Sequence, residues 1–199
     1  MGERKIGVLA LQGAVREHLQ MLARCGARGI PVKYPSELLS CEGLIIPGGE
    51  STTIGKLIVR NGFLDLLKKR AAEGLPIFGT CAGLIVLARQ VTEGSQPLLG
   101  FMDIVAHRNA FGRQVDSFEA DLRVTGIEEE EKAFRGVFIR APWIEEVGEG
   151  VEVMSVWREK IVMARQERFL VAAFHPELTD DERIHRYFLR MVDEYQREG

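Results

Sequence analysis

Cys81 sits in G-T-C-A-G, with Gly79 and Gly83 on either side, between the apolar runs P-I-F and L-I-V-L-A. A thiol in a G-x-nucleophile-x-G turn has the form of a nucleophile elbow, because the flanking glycines have no Cβ to obstruct a tight strand-to-helix turn. A helix N-terminus at that point favours thiolate over thiol. The same five residues also fit a small cysteine buried in a turn, since cysteine is among the residue types most often buried. A second group must decide between the two.

A thiol that transfers an acyl group needs a base, and the base needs an orienting partner. The stretch F-L-V-A-A-F-H-P-E ends in both. In extended chain His175 and Glu177, two apart, point to one side, so Glu177 can accept from one imidazole nitrogen while the other faces Cys81. A surface turn around Pro176 is the competing reading of H-P-E taken alone. Of the other histidines, His18 in an amphipathic helix and His185 in the last helix are expected on solvated faces, and His107 in a loop. No metal-ligand spacing or His/Cys cluster is present.

A tetrahedral intermediate also needs backbone donors for its oxyanion. I-I-P-G-G-E-S places Gly48 and Gly49 just past a strand end, where their N–H groups can face an adjacent site, although a plain turn fits as well. A phosphate-binding loop does not fit. Five residues separate Gly49 from Gly55, one too many, and Leu57 stands where the metal-binding hydroxyl would be.

The surrounding pattern must bring these pieces together. K-I-G-V-L-A-L reads as a buried strand, followed by a helix with Val15, Leu19 and Leu22 at helical spacing and a stop at Gly26. G-I-P-V-K-Y and G-L-I-I-P-G-G are further strands. A helix N-capped by Ser51 and a second over F-L-D-L-L-K-K-R-A-A-E-G come next, and L-P-I-F-G-T runs into the helix A-G-L-I-V-L-A-R-Q. Alternating strands and helices mean an α/β fold with an open, mainly parallel sheet flanked by helices on both faces. Cys81 then falls at the carboxyl edge of the sheet, where such folds place ligands.

From Gly100 the rhythm changes to short strand-like runs, M-D-I-V-A-H-R, S-F-E-A-D-L-R-V, G-V-F-I-R-A-P, V-E-V-M-S-V-W, K-I-V-M-A-R-Q and F-L-V-A-A-F. These are expected to form antiparallel additions and one last core strand. The run Glu128 to Glu131 reads as a solvated loop. A final helix is expected, with Thr179 and Glu182 as a capping box and Ile184, Phe188, Met191 and Tyr195 on one stripe.

The 199 residues are expected to form one domain, 1–199, with a hydrophobic fraction of 46% sufficient for its core. With 26 Lys+Arg against 29 Asp+Glu, nothing argues for a nucleic-acid partner. The opening M-G-E-R-K-I-G-V-L-A-L is too short an apolar stretch for a signal peptide, no window is long enough for a membrane span, and Ile6 rules out a myristoylation signal. Cys25, Cys41 and Cys81, an odd count without paired spacing, fit a reducing compartment, so a cytoplasmic location is expected.

P-G-G-E-S, G-T-C-A-G and H-P-E, in that order along the chain, resemble the triad-type (class I) glutamine amidotransferases. More narrowly, L-A-L-Q-G-A-V-R-E-H, P-G-G-E-S-T-T-I-G-K-L, G-T-C-A-G-L-I-V-L-A, H-R-N-A-F-G-R-Q-V-D-S-F-E, V-F-I-R-A-P and A-A-F-H-P-E-L-T-D-D together resemble the glutaminase subunits of pyridoxal 5'-phosphate synthase, over essentially the whole chain. The triad motifs mark only the superfamily. The L-Q-G opening, H-R-N-A-F-G-R-Q and the short length mark the narrower group, while 94–97 and 128–132 match no motif and look free to vary.

By that resemblance Cys81 attacks the side-chain amide of L-glutamine, His175 protonates the departing ammonia and Glu177 orients His175; water then cleaves the thioester. The resemblance assigns the oxyanion hole to N–H groups of Gly49 and Ala82, and substrate binding to Gly49, Glu50, Ser51, Arg108, Ile139 and Arg140. An arginine fork suits a carboxylate, though on sequence alone either arginine reads as a surface ion-pair member. Gln12 and Gly13 match the family's contact with its partner. That partner is the barrel-shaped synthase subunit, which would condense the ammonia with ribose 5-phosphate and glyceraldehyde 3-phosphate. A dry passage between the sites would keep the ammonia unprotonated. No cofactor is expected in this chain. The alternatives are a glutaminase of another amidotransferase or a free-standing γ-glutamyl hydrolase; a non-catalytic regulatory subunit would have no need of Cys81, His175 and Glu177.

Overall fold

A computed structural model describes residues 3–108 and 117–198. Residues 109–116, which carry most of H-R-N-A-F-G-R-Q, lie outside the described residues. The first half winds β1 (Lys5–Leu9), α1 (Val15–Arg24), β2 (Arg28–Val32), α2 (Pro35–Leu38), β3 (Gly43–Ile46), α3 (Ser51–Arg60), α4 (Leu64–Ala72), β4 (Ile77–Thr80) and α5 (Ala82–Leu87). The second half adds β5 (Ala88–Val91), β6 (Met102–His107), β7 (Ser117–Leu122), β8 (Phe134–Ile139), β9 (Trp143–Val147), β10 (Glu152–Trp157), β11 (Lys160–Gln166), β12 (Phe169–Ala172), a 3-10 turn (Pro176–Leu178) and α6 (Arg183–Glu198).

The main sheet has the order β2-β1-β3-β4-β12-β11-β9-β6-β5, with β10 paired to β11, and β7 and β8 form a separate antiparallel ribbon. Neighbours from β2 to β12 are parallel, and those from β12 through β11 and β9 to β6 are antiparallel. The central strands β3, β4 and β12 are buried at every residue, as parallel strands covered on both faces must be. Side chains along β4 show which helices cover which face. Phe78 meets His185 and Phe188 of α6, at ring separations of 6.0 and 5.6 Å, whereas a Cβ on Gly79 would meet Gly83 and Leu87 of α5. Successive strand residues point to opposite faces, so α6 and α5 cover opposite faces of the sheet. On α6, Ile184, Phe188 and Met191 are wholly buried; an apolar side chain of that size contributes about 1.5–3 kcal/mol by leaving water.

Several local expectations give way to tertiary context. A-G-L-I-V-L-A-R-Q is not one helix: α5 stops at Leu87 and Ala88–Val91 becomes β5, because the open edge of β6 offers parallel pairing and Arg89 pairs with Asp103 at 2.8 Å. W-I-E-E-V, in which Trp143 and Ile144 give way to an exposed acidic end and show too little alternation to signal a strand, forms β9 between β6 and β11. His107 ends strand β6 rather than lying in a loop. Glu50, not Ser51, caps α3, since its longer side chain reaches the N–H groups of both Thr52 and Thr53. No Thr179/Glu182 capping box forms. Thr179 closes the 3-10 turn, Asp181 accepts from the Arg183 N–H at the start of α6, and Glu182 pairs with Arg186. Among the described residues no helix is long and apolar enough to cross a membrane, and no cluster of side chains could hold a metal ion.

Candidate active site

Four parallel neighbours, β1, β3, β4 and β12, end on the same edge of the sheet, and each delivers one piece of the site: Gln12, Gly48–Gly49, Cys81 and His175. The order reverses between β1 and β3, the kind of switch point where open α/β sheets leave a crevice. The crevice encloses about 300 Å³, and Cys81, Ala82 and His175 line it beside Gly49, Glu50 and Ser51. Arg108, Ile139, Arg140 and Gln12 line it too. Glu177 stands behind His175 and Gly13 beneath the glycine loop, so the residues expected from sequence lie in one place.

Cys81 has φ 49° and ψ −102°, a strained conformation for a residue with a side chain. Its N–H donates to the Ala172 carbonyl at 2.8 Å, fastening the turn to β12. Both elbow glycines are sterically required. A Cβ on Gly83 would lie 2.2 Å from the Ile46 carbonyl oxygen, and one on Gly79 would lie 2.5 Å from the Gly83 carbonyl carbon. Ala82 opens α5, so its N–H has no acceptor within the helix and is free to face the crevice.

The His175 N–H donates to Val137 of β8 at 2.8 Å, and its Nδ1 meets Glu177 Oε1 at 2.7 Å, which leaves Nε2 for the thiol. Burial by itself would lower the imidazole's affinity for a proton, but the Cys81 sulfur and the Glu177 carboxylate outweigh it and raise His175 to about 10. The Glu177 side chain is wholly buried. Burial works against its charge, yet His18 and His175 hold it below the usual carboxylate range. The Cys81 sulfur also lies 3.8 Å from the Ile139 carbonyl oxygen, so β8 both anchors the base and closes the crevice over the thiol.

The glycine loop is braced from β1. Gln12 Oε1 accepts from the Glu50 N–H at 2.8 Å, Ala14 N–H donates to Gly48 at 3.0 Å, and Gly13 adopts φ 103°, where a Cβ would fall 1.8 Å from the Gly48 carbonyl oxygen. Gln12 and Gly13 therefore support the loop as well as being exposed. The Glu50 carboxylate resists burial's push toward protonation through hydrogen bonds from the Thr53 hydroxyl and two backbone N–H groups, and sits at about 2. Arg108 approaches Glu50 at 3.6 Å and shares Gln96 Oε1 with the Ser51 and Thr52 hydroxyls. Arg140, with φ 42°, also lines the crevice, so two arginines border it.

Sequence reasoning missed two features and saw a third only in part: Gly48, expected only to offer an N–H, packs against both His175 and Cys81. Gln96, in a stretch that matched no motif, ties Arg108 to the start of α3. His18 and His185, expected on solvated faces, are both wholly buried behind Glu177. Their positions carried the signal: Val15, His18 and Leu22 share a helical stripe, and so do His185, Phe188 and Val192.

The arrangement offers a nucleophile, a base with an orienting carboxylate, two backbone donors and two cations, which together suit acyl transfer from an amide. A family model described as the SNO glutamine amidotransferase family matches residues 8–194. A pyridoxal 5'-phosphate synthase subunit PdxT from Pelotomaculum thermopropionicum is 60% identical over 185 residues, covering 93% of each chain. One from Geobacillus kaustophilus is 54% identical over 190 residues, 96% of this chain and 95% of its own. A solved structure described as a glutamine amidotransferase superimposes with a TM-score of 0.89 at 49% identity, covering 94% of this chain and 98% of that one.

Proposed function

The chain belongs to the SNO glutamine amidotransferase family and is a glutaminase that feeds pyridoxal 5'-phosphate synthesis; from that premise we propose that Cys81, His175 and Glu177 carry its hydrolysis of L-glutamine. The observation that carries the assignment is the 2.7 Å contact of His175 with a buried Glu177, beside a thiol held in a strained elbow at the mouth of the crevice.

The Cys81 sulfur attacks the side-chain carbonyl carbon of glutamine, and the carbonyl electron pair moves onto oxygen. The N–H groups of Gly49 and Ala82 receive that oxyanion. As the carbonyl re-forms, the C–N bond breaks and the nitrogen takes a proton from His175 Nε2, leaving as ammonia. Glu177 holds Nδ1–H throughout, so the proton moves at the other nitrogen. His175 then takes a proton from water, the hydroxide attacks the thioester carbon, and glutamate departs as the sulfur regains its electron pair. Arg108 and Arg140 hold the α-carboxylate, and Glu50 and Ser51 close the other side of the pocket.

The relatives are subunits of a synthase by name, and the ammonia released here passes to a synthase partner. Gln12 and Gly13, exposed and braced against the glycine loop, are the contact we assign to that partner. Glutamate release from glutamine, with and without the synthase subunit, tests the reading. Cys81→Ala is expected to abolish release in both conditions. Full release by the wild-type chain that the partner does not stimulate would point to a free-standing hydrolase instead.

A further inference from the structure

Glu177 has two carboxylate oxygens and His175 uses one. Oε1 accepts from His175 Nδ1, whereas Oε2 is buried and makes no hydrogen bond of normal length. The nearest basic group is His18 Nε2, at 3.5 Å, which also lies 3.1 Å from the Thr80 hydroxyl. On the other side of the ring, His18 Nδ1 meets His185 Nε2 at 3.0 Å, and His185 Nδ1 is buried without a partner. Helices α1 and α6 thus meet behind the site through two imidazoles.

One proton must lie between His18 Nδ1 and His185 Nε2, and its owner decides what Glu177 faces. If His18 donated it, the lone pair of His18 Nε2 would point at a carboxylate, and His185 would bury an unpaired N–H. If His185 donates it, His18 presents Nε2–H to Thr80 and Glu177, and the group left bare is an acceptor, His185 Nδ1. The second arrangement places a donor against the negative charge and leaves no N–H stranded. Both rings are neutral in it, as their burial requires: burial lowers His18, and burial together with His18 lowers His185 to about 3.

We propose that His18 is a positioning residue: with its proton placed by His185, it holds the second oxygen of Glu177 and so fixes the carboxylate that orients His175. His18 can act this way in turnover only if Glu177 orients the base, as proposed above. The chain of contacts then runs from Cys81 through His175, Glu177 and His18 to His185, from one face of the sheet edge to the helix pair behind it. The groups facing His18 are Glu177, His175 and Glu17, with Thr80 and His185 in hydrogen-bond contact.

Two amides of different reach test this. His18→Asn keeps a polar group near His185 but cannot reach Glu177, while His18→Gln carries an N–H out to where Nε2 stood. The Asn variant is expected to lose between about 10-fold and about 100-fold in kcat for glutamate release, with KM for glutamine little changed, and Gln to recover most of it. A folded Asn variant with wild-type kcat, or a Gln variant no better than Asn, would overturn the proposal. Nitrogen NMR of the unmodified protein gives a test independent of turnover: both His18 and His185 are expected to be neutral with the proton on Nε2. A proton on His18 Nδ1 would refute the arrangement even if the chain proved inactive on glutamine, whereas the expected tautomers in an inactive chain would leave the arrangement standing and remove the glutaminase reading.

Discussion

Gly48 lies against the His175 ring: a Cβ built on it would sit 2.4 Å from Cε1 and 3.3 Å from the Cys81 Cβ. The glycine loop therefore packs directly onto the His175 ring and the Cys81 elbow. Gly48→Ala is expected to displace the imidazole or the loop and to lower glutamate release by about 100-fold, with the fold retained. Turnover at the wild-type rate in a folded variant would show that the ring is not held by this contact.

The elbow glycines have a structural duty separable from chemistry. Gly83→Ala places a methyl 2.2 Å from a backbone oxygen of β3, which cannot give way as a flexible side chain could. A loss of about 1–3 kcal/mol in unfolding free energy is expected from such overpacking. Denaturant titration reads it, and an unchanged midpoint would contradict the packing described.

His175 should titrate far above an ordinary imidazole. Burial opposes its charge, but Cys81 and Glu177 raise it to about 10. Since its folded value lies above its unfolded one, this stabilisation is fully present below about pH 6.5 and is lost as pH rises through about 10. Proton NMR of the ring is expected to place the midpoint near 10 in the wild type and lower in Cys81→Ala, where the sulfur's contribution is gone. A midpoint that Cys81→Ala leaves unmoved would separate the two side chains.

Glu50 links the pocket to α3. Glu50→Ala removes the acceptor for the Thr52 and Thr53 N–H groups and is expected to cost about 1 kcal/mol as a lost helix cap. It also removes the carboxylate beside Arg108, so KM for glutamine is expected to rise. The Glu50 pKa is depressed, so its contribution is present above about 4.5 and fades as pH falls through about 2. A pH-stability curve of the variant that tracks the wild type through the acid range would contradict that role.

The pieces of the site that local chemistry could reveal were legible in the sequence. G-T-C-A-G declares its turn because two glycines are needed for it, and H-P-E pairs a base with a carboxylate, although the 3-10 turn Pro176–Leu178, not the extended backbone expected, brings Glu177 back to His175. The parallel core was legible because fully buried strands read as unbroken apolar runs. What depended on distant partners was not. β5 looks like the end of a helix until β6 offers it an edge, and Glu50 outcompetes Ser51 as a cap only through its reach. His18 and His185 looked like solvated polar residues because nothing local shows that each is the other's partner, 167 positions apart in sequence.

The most direct test of the account follows the amide nitrogen. With 15N in the side-chain amide of glutamine and the synthase subunit present, the wild-type chain is expected to deliver label into the pyridine nitrogen of pyridoxal 5'-phosphate. Cys81→Ala is expected to deliver none, while added ammonium restores product formation. Label transferred by Cys81→Ala at the wild-type rate would contradict the account at its centre.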